Sequence, residues 1–297
     1  MELPEFFVNK LKNQYGEEIT KKIIQGYYTQ RKTTFRVNTL KSSIENIEKV
    51  LKEKNFEYEK VAWSEEAFVI NNARENEIEQ LDIYKNGEIY LQSLSSMLPP
   101  IILEPKQNSD ILDMAAAPGG KTTQIAALSN NKAHITACEM NAIRAERLKY
   151  NIQKQGASSV YIMQKDSRRI DDFFSFDQIL LDAPCSGTGT FNSNEKINIT
   201  ENFVQKISKT QNELLNKAVN VLKPGCEMIY STCSILYEEN EKNIEKILKT
   251  GKMEIVPIEI TGMENMPLLP TKIDGTILLC PNDMYEGFFV TKMRKRS

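Results

Sequence analysis

Two thiols and a lysine–acid set stand where nucleophilic and acid–base chemistry could be done. Cys185 lies in the run Leu181-Asp182-Ala183-Pro184-Cys185-Ser186-Gly187-Thr188-Gly189, and Cys233 in Tyr230-Ser231-Thr232-Cys233-Ser234. A thiolate is intrinsically very nucleophilic and adds to electron-poor carbon. A third run, Asp113-Met114-Ala115-Ala116-Ala117-Pro118-Gly119-Gly120-Lys121-Thr122, carries small residues that let the backbone approach a ligand closely. Its glycines permit a tight turn, and a helix starting there would offer unpaired N–H groups. The phosphate-binding loop pattern needs a glycine where Ala115 stands, so Ala115 to Lys121 is at most a degenerate match. An ATPase is therefore the minority reading of that run.

Acids sharpen the ligand class. Glu139 follows Gly119 by 20 residues and could accept from both ribose hydroxyls of an adenosine. Asp166 is placed to accept from an adenine amino group, and Asp182 opens the Cys185 run. Three acids at three successive strand ends suit a cofactor without phosphate and with a cationic reactive group. S-adenosylmethionine, a sulfonium, has that chemistry. Each acid taken singly could equally be a loop or helix-cap carboxylate.

The elements that must position these runs are readable in outline. Short apolar strands are expected over residues 109–114, 133–138, 160–164, 178–182 and 227–232, with helices over 122–128, 142–155 and 202–222. Alternation of strand and helix implies a parallel sheet covered on both faces. Ligands then sit beyond the carboxyl ends of the strands, where every run above falls. Two final strands over 276–279 and 287–293 are expected to form an antiparallel hairpin that closes the sheet. Residues 1–90 read as a small α+β module. It has helices over 4–11, 17–28 and 42–54, the last capped by Ser42 or Ser43, and strands over 34–38, 61–63 and 67–70.

Composition bounds the rest. The chain has 297 residues, 40% hydrophobic and 26% charged, which suits about two globular domains rather than a disordered or collagen-like chain. It has no apolar run long enough to span a membrane and no secretory signal, so a cytoplasmic location is expected. The net charge of −2 does not by itself announce nucleic-acid binding. The single histidine, His134, begins a strand and cannot supply both a multi-His metal site and a triad. The five cysteines are odd in number and lack Cys-x-x-Cys spacing, which argues against a disulfide framework or a zinc site. Cys138, Cys226 and Cys280 read as core or structural.

At this point the chain resembles the Nol/Nop/Sun family of RNA cytosine-C5 methyltransferases. The resemblance rests on DMAAAPGGKTT (residues 113–123), DAPCSGTG (182–189) and STCS (231–234), with RVNTLK (36–41), QSLSSMLPP (92–100) and EGFFV (286–290) in support. It covers nearly the whole chain, although residues 262–283 match poorly and no separate RNA-binding extension is evident. It implies a Rossmann-like class I methyltransferase domain over 91–297, with a mostly parallel sheet and an antiparallel last strand. Residues 1–90 would be an RRM-like, RNA-binding α+β module. It makes Cys233 the nucleophile and Cys185 the thiol needed for product release. Ala115, Ala116, Ala117, Pro118, Gly119, Gly120, Lys121, Glu139, Arg144, Asp166 and Asp182 would bind S-adenosylmethionine, and Lys121 and Asp182 would also touch the target cytosine.

Those roles are chemically coherent. A thiolate adding to C6 makes C5 enamine-like and able to attack a sulfonium methyl. Support at N3 falls to Lys121 or a protonated Asp182, and removal of the C5 proton to Cys185 or a water near it. Pro184-Cys185 could instead be read as the nucleophile motif of DNA cytosine methyltransferases, but Cys233 and the RVNTLK segment favour the RNA family. The expected partner is RNA, either tRNA or rRNA, met by a monomer with no metal. Arg36 and Asn38 are the expected RNA-binding residues. The basic residues of the first module and a tail of Lys292, Arg294, Lys295 and Arg296 are candidates for phosphate contacts. The alternatives are a methyltransferase for DNA or a small molecule, and an RNA-binding assembly factor whose catalysis is dispensable.

Overall fold

The structure, a computed structural model, describes residues 3–192 and 197–297. It opens with helix α1 (Glu5–Tyr28), interrupted at Gly16, whose φ of 79° is a conformation that L side chains rarely adopt. The two helices expected over 4–11 and 17–28 are thus the two arms of one element. Then come β1 (Thr33–Val37), α2 (Ile44–Glu53), β2 (Tyr58–Val61), β3 (Ser64–Ile70), the short helices α3 (Glu75–Ile78) and α4 (Asp82–Lys85), and β4 (Ile89–Leu91). Ser43 caps α2 by accepting from the Asn46 N–H.

These four strands form an antiparallel sheet in the order β2-β3-β1-β4. This is a β-α-β-β-α-β module with its own core of Phe35, Ile47, Leu51, Phe68 and Ile89. Helix α1 does not join that core. Its Phe7, Leu11, Tyr15, Ile23 and Tyr27 pack with Leu112, Ile179 and Tyr230 of the larger sheet.

The rest of the chain runs α5 (Leu94–Leu103), β5 (Asp110–Asp113), α6 (Gly120–Leu128), β6 (His134–Cys138), α7 (Ala142–Gln155), β7 (Val160–Met163), β8 (Phe176–Asp182), α8 (Glu201–Val221), β9 (Leu222–Thr232), α9 (Glu241–Leu248), β10 (Met253–Val256), β11 (Ile277–Leu279) and β12 (Phe288–Lys295). Its sheet has the order β10-β12-β9-β8-β5-β6-β7, with β11 on β12. Strands β5 to β9 are mutually parallel, and β12 runs antiparallel to β9. The parallel part follows the strand–helix alternation, and the Rossmann-like sheet with its antiparallel closing strand is the one the resemblance implied. Helix α5 covers the face opposite α1, placing Leu94, Met97 and Leu98 against Ile111, Leu180 and Ile229.

The expected basic tail is corrected. Lys292, Arg294 and Lys295 belong to β12, where Lys292 and Arg294 pair with Glu227 and Lys295 donates to the Val219 and Leu222 carbonyls. They fasten β12 to β9 and to the end of α8. Among the described residues, no helix is long and apolar enough to cross a membrane.

Candidate active site

The parallel register of β8 and β9 decides where the two thiols meet. Asp182 is aligned with Ser231, so the chains leaving these strands carry Cys185 and Cys233 out at the same sheet edge. Their sulfurs lie 2.9 Å apart. Cys185 is pushed well above the ordinary thiol range, first by its hydrogen bond to Cys233, then by burial and the Cys233 charge.

Two glycines make this packing feasible. The Gly189 N–H donates to the Cys233 carbonyl at 2.9 Å, and the Gly287 N–H donates to the Gly189 carbonyl at 2.8 Å. A Cβ on Gly189 would fall 1.8 Å from the Gly287 carbonyl oxygen. The Thr-Gly of the Cys185 run and the Glu-Gly before β12 are thus the two halves of one seam that holds the Cys233 backbone.

Lys121, in the first turn of α6, reaches the same place. Its ammonium pairs with Asp182 at 2.7 Å and donates to Ser96 Oγ at 2.6 Å, while Asp182 Oδ1 accepts from Ser231 Oγ at 2.7 Å. Burial works to lower the Lys121 pKa, but the Asp182 charge and hydrogen bond outweigh it, and the ammonium is held above its ordinary value. Asp113, at the end of β5, is raised to about 6 by burial, although it accepts from Thr122 Oγ1 at 2.7 Å.

A cleft of about 430 Å³, large enough for a small cofactor, opens beside these groups. Ala115, Ala116, Ala117, Pro118, Gly120 and Lys121 line one wall, and Asp182 and Cys233 also face it. Tyr90 and Glu75 of the smaller module complete the rim. A Cβ on Gly120 would meet the Tyr90 ring at 3.1 Å, so the small-residue run is needed for the cleft to exist at this width. Gly119 caps α6 at φ 109°. The wall is braced from behind, where Arg144 donates to the Ala117 carbonyl at 2.7 Å and Asn151 to the Pro118 carbonyl at 2.8 Å.

Glu139 follows β6 and is buried, with Oε1 accepting from the Asn141 N–H at 2.8 Å and Oε2 3.5 Å from Arg144; neither Glu139 nor Arg144 lines the cleft. Asp166 follows β7, and its carboxylate is gripped by Arg168, which lowers its pKa. It lines a separate surface depression with Arg169 and Glu213 rather than the cleft.

Arg36 and Asn38 correct the RNA-contact expectation. Arg36 is 2% exposed, and it donates to Gln92 Oε1 at 3.0 Å, the Gly120 carbonyl at 3.1 Å and Thr123 Oγ1 at 2.7 Å. Asn38 is equally buried and bonds the Gly87 and Gln155 carbonyls. Both are struts between the smaller module and the helices behind the cleft. Nε and Nη2 are taken up by these three acceptors and the whole guanidinium, Nη1 included, is buried, so Arg36 has no surface from which to reach a phosphate.

Sequence reasoning missed Ser96, Ser231, Glu239 and Glu286. Ser96 and Ser231 bond the Lys121–Asp182 pair, and Glu286 lines the cleft and accepts from Ser93 at 2.7 Å. Ser96 lies within the QSLSSMLPP segment, which was a usable signal. Glu239 had none, because Ser186 and Gln211, two of its three partner residues, are remote in the chain.

Comparison with known proteins agrees with this architecture. Residues 100–294 match the family model for 16S rRNA methyltransferase RsmB/F, and residues 3–76 match the RsmF/B-like ferredoxin-like domain. Ribosomal RNA small subunit methyltransferase F of Aliivibrio salmonicida is 38% identical over 275 residues, 89% of this chain and 58% of that protein. Its counterpart in Vibrio vulnificus is 34% identical, covering 99% of this chain and 64% of that protein. The chain thus spans about three fifths of the length of these relatives. A methyltransferase homologue from Pyrococcus horikoshii superposes with a TM-score of 0.84 at 32% identity, covering 99% of this chain and 100% of that one. NSun6 from the same organism, solved with SFG, has the same fold at a TM-score of 0.89 and 24% identity, covering 99% of this chain and 98% of that one. The chain belongs to the RsmB/F methyltransferase family.

Proposed function

We propose that this chain transfers a methyl group from S-adenosylmethionine to C5 of a cytosine in small-subunit ribosomal RNA, through a transient bond between Cys233 Sγ and C6 of the base. The observation that carries this reading is the pair of sulfurs 2.9 Å apart, next to the Lys121–Asp182 ion pair on a small-residue cleft. The names of the relatives support the RNA substrate.

The residues present suit the cofactor. The run from Ala115 to Gly120 leaves room for a ligand against the backbone, and Glu139, just past the next strand and off the cleft wall, is the carboxylate that would turn to the ribose hydroxyls. Asp166, gripped by Arg168 in a separate depression, does not face the cleft as it stands and is not part of this cofactor set, and Arg144 acts indirectly by fixing the Ala117 carbonyl. When bound, the cofactor supplies an electrophilic methyl on its sulfonium.

The chain's own groups do the rest. Cys233 adds to C6, and the electron pair displaced from the C5–C6 bond enriches C5. Lys121, kept charged by Asp182, donates toward the N3–C2 edge where negative charge gathers. Once Cys233 has become a thioether, its charge and its hydrogen bond no longer hold the proton on Cys185. Cys185 can then lose that proton to water and take the C5 proton. The C5–H electrons reform the double bond and expel Cys233. The target base must leave its stack to reach this edge. Residues 1–90, whose Glu75 and Tyr90 form the rim, are the part proposed to hold the RNA around it, and 91–297 the catalytic part.

The test is nucleoside mass analysis of 16S rRNA and of small ribosomal subunits after incubation with methyl-labelled cofactor. The expected result is label in 5-methylcytidine. Label confined to DNA, to small molecules or to another nucleoside position contradicts the proposal.

A further inference from the structure

Glu239 is 0% exposed, and its carboxylate accepts four bonds from neutral donors. These are the Ser186 N–H at 2.8 Å, Ser186 Oγ, Ser234 Oγ at 2.7 Å and Gln211 Nε2 at 3.0 Å. Ser186 follows Cys185 and Ser234 follows Cys233, so one buried carboxylate ties together the residues next to both thiols. The Tyr230 hydroxyl holds the Glu239 carbonyl at 2.5 Å, which fixes the clamp to β9. A buried carboxylate is costly to keep dehydrated unless every lone pair is used. A glutamine would keep an acceptor for the Ser186 N–H and Gln211, but it loses the charge that strengthens all four bonds and forces both serine hydroxyls to turn from donor to acceptor.

We infer that Glu239 is a positioning residue that sets the distance between Cys185 and Cys233 and so governs release of the methylated base; this rests on the two-thiol function proposed above. The two thiols do not depend on it equally. Cys233 directly follows β9, whose register with β8 and β12 places it, and its carbonyl is held by Gly189. Cys185 lies in a stretch outside any strand or helix, and two of the four bonds to Glu239 come from its neighbour Ser186. Loss of the clamp therefore frees Cys185 more than Cys233. Addition to C6 needs only Cys233, whereas removal of the C5 proton needs Cys185 within reach of the adduct.

The experiment follows a covalent protein–RNA band on denaturing gels after mixing the full chain, a 16S rRNA transcript and S-adenosylmethionine. Glu239→Gln is expected to form the band at the parent's rate and to clear it roughly 10- to 100-fold more slowly, the worth of one or two hydrogen bonds to a charged group. Adding Cys233→Ala to Glu239→Gln should abolish the band. Ser186→Ala, which leaves the carboxylate intact, should show the same defect in weaker form, and Glu239→Asp should recover part of the clearing rate. Should Glu239→Gln melt early, Ser186→Ala decides alone. Clearing at the parent's rate overturns the inference, as does equal loss of addition and clearing, which marks a purely structural group. A Cys185→Ala protein that gives no Cys233-dependent band overturns the two-thiol function itself, and this inference with it.

Discussion

Cys185 Sγ lies 2.9 Å from Cys233 Sγ although the two residues are 48 positions apart in the chain. The approach is built by the Asp182–Ser231 register of two parallel strands, by the Gly189–Gly287 seam and by the Glu239 carboxylate. Three independent devices converge on one pair of atoms, and the hydrogen bond to Cys233 and burial push the Cys185 thiol above its ordinary range. A structural thiol needs none of this. Cys138, buried and raised to about 12 by desolvation, shows what an inert one looks like in the same protein.

The Lys121–Asp182 pair should matter to turnover more than to folding. Lys121→Met leaves a half-buried carboxylate without its counter-ion, and a destabilisation of about 3 kcal/mol is expected. Methyl transfer should fall by roughly 10²- to 10³-fold through lost charge stabilisation. Lys121→Met combined with Asp182→Asn should regain most of the stability and none of the activity. Thermal melting and initial rates on the same preparations check this. Recovery of rate in the double variant would show that Lys121 serves only to neutralise Asp182.

Asp113 gives a pH dependence of defined sign. Burial raises it from the ordinary 3.8 to about 6, so the folded protein holds this proton more tightly than the unfolded chain does. The stabilisation is complete below 3.8 and is lost as pH rises through about 6, a difference of about 3 kcal/mol. The stability of the parent relative to Asp113→Asn should therefore fall as pH rises across that window. Denaturant melts of both proteins at a series of pH values measure it, and a flat difference would refute the assignment.

Arg36 should behave as a strut. Arg36→Ala removes bonds to Gln92, Gly120 and Thr123, and is expected to cost about 3 kcal/mol. Cofactor affinity should weaken, because Gly120 starts the helix behind the cleft. The dependence of RNA affinity on salt should not change. A salt slope lowered by about one at unchanged stability would instead mark a phosphate contact.

Much of this was legible beforehand because the informative residues are local. A strand, a small-residue turn and a helix are written consecutively from Asp110 to Leu128, and the two thiol runs follow their strands directly. What was not legible depends on contacts distant in sequence. Helix α5 holds Pro99 and Pro100 and is apolar on almost every side, so it shows no helical periodicity. Its packing against the sheet overrides two missing N–H donors. Glu239 sits in a charged stretch, and nothing near it in the sequence announces donors from Ser186 and Gln211. Arg36 stands out as an RNA contact because it is a basic residue inside the RVNTLK segment that carries the family resemblance, whereas its burial depends on acceptors more than 50 positions away.

The most direct measurement takes Cys233→Ala and Cys185→Ala side by side, with a 16S rRNA transcript and S-adenosylmethionine, and maps any covalent adduct by mass spectrometry of the protein–RNA junction. Cys185→Ala is predicted to accumulate an adduct joined through the sulfur at 233, while Cys233→Ala still binds cofactor but yields neither adduct nor 5-methylcytidine. An adduct that appears in Cys233→Ala and maps to Cys185, or full methylation by Cys233→Ala, would contradict the assignment of the nucleophile.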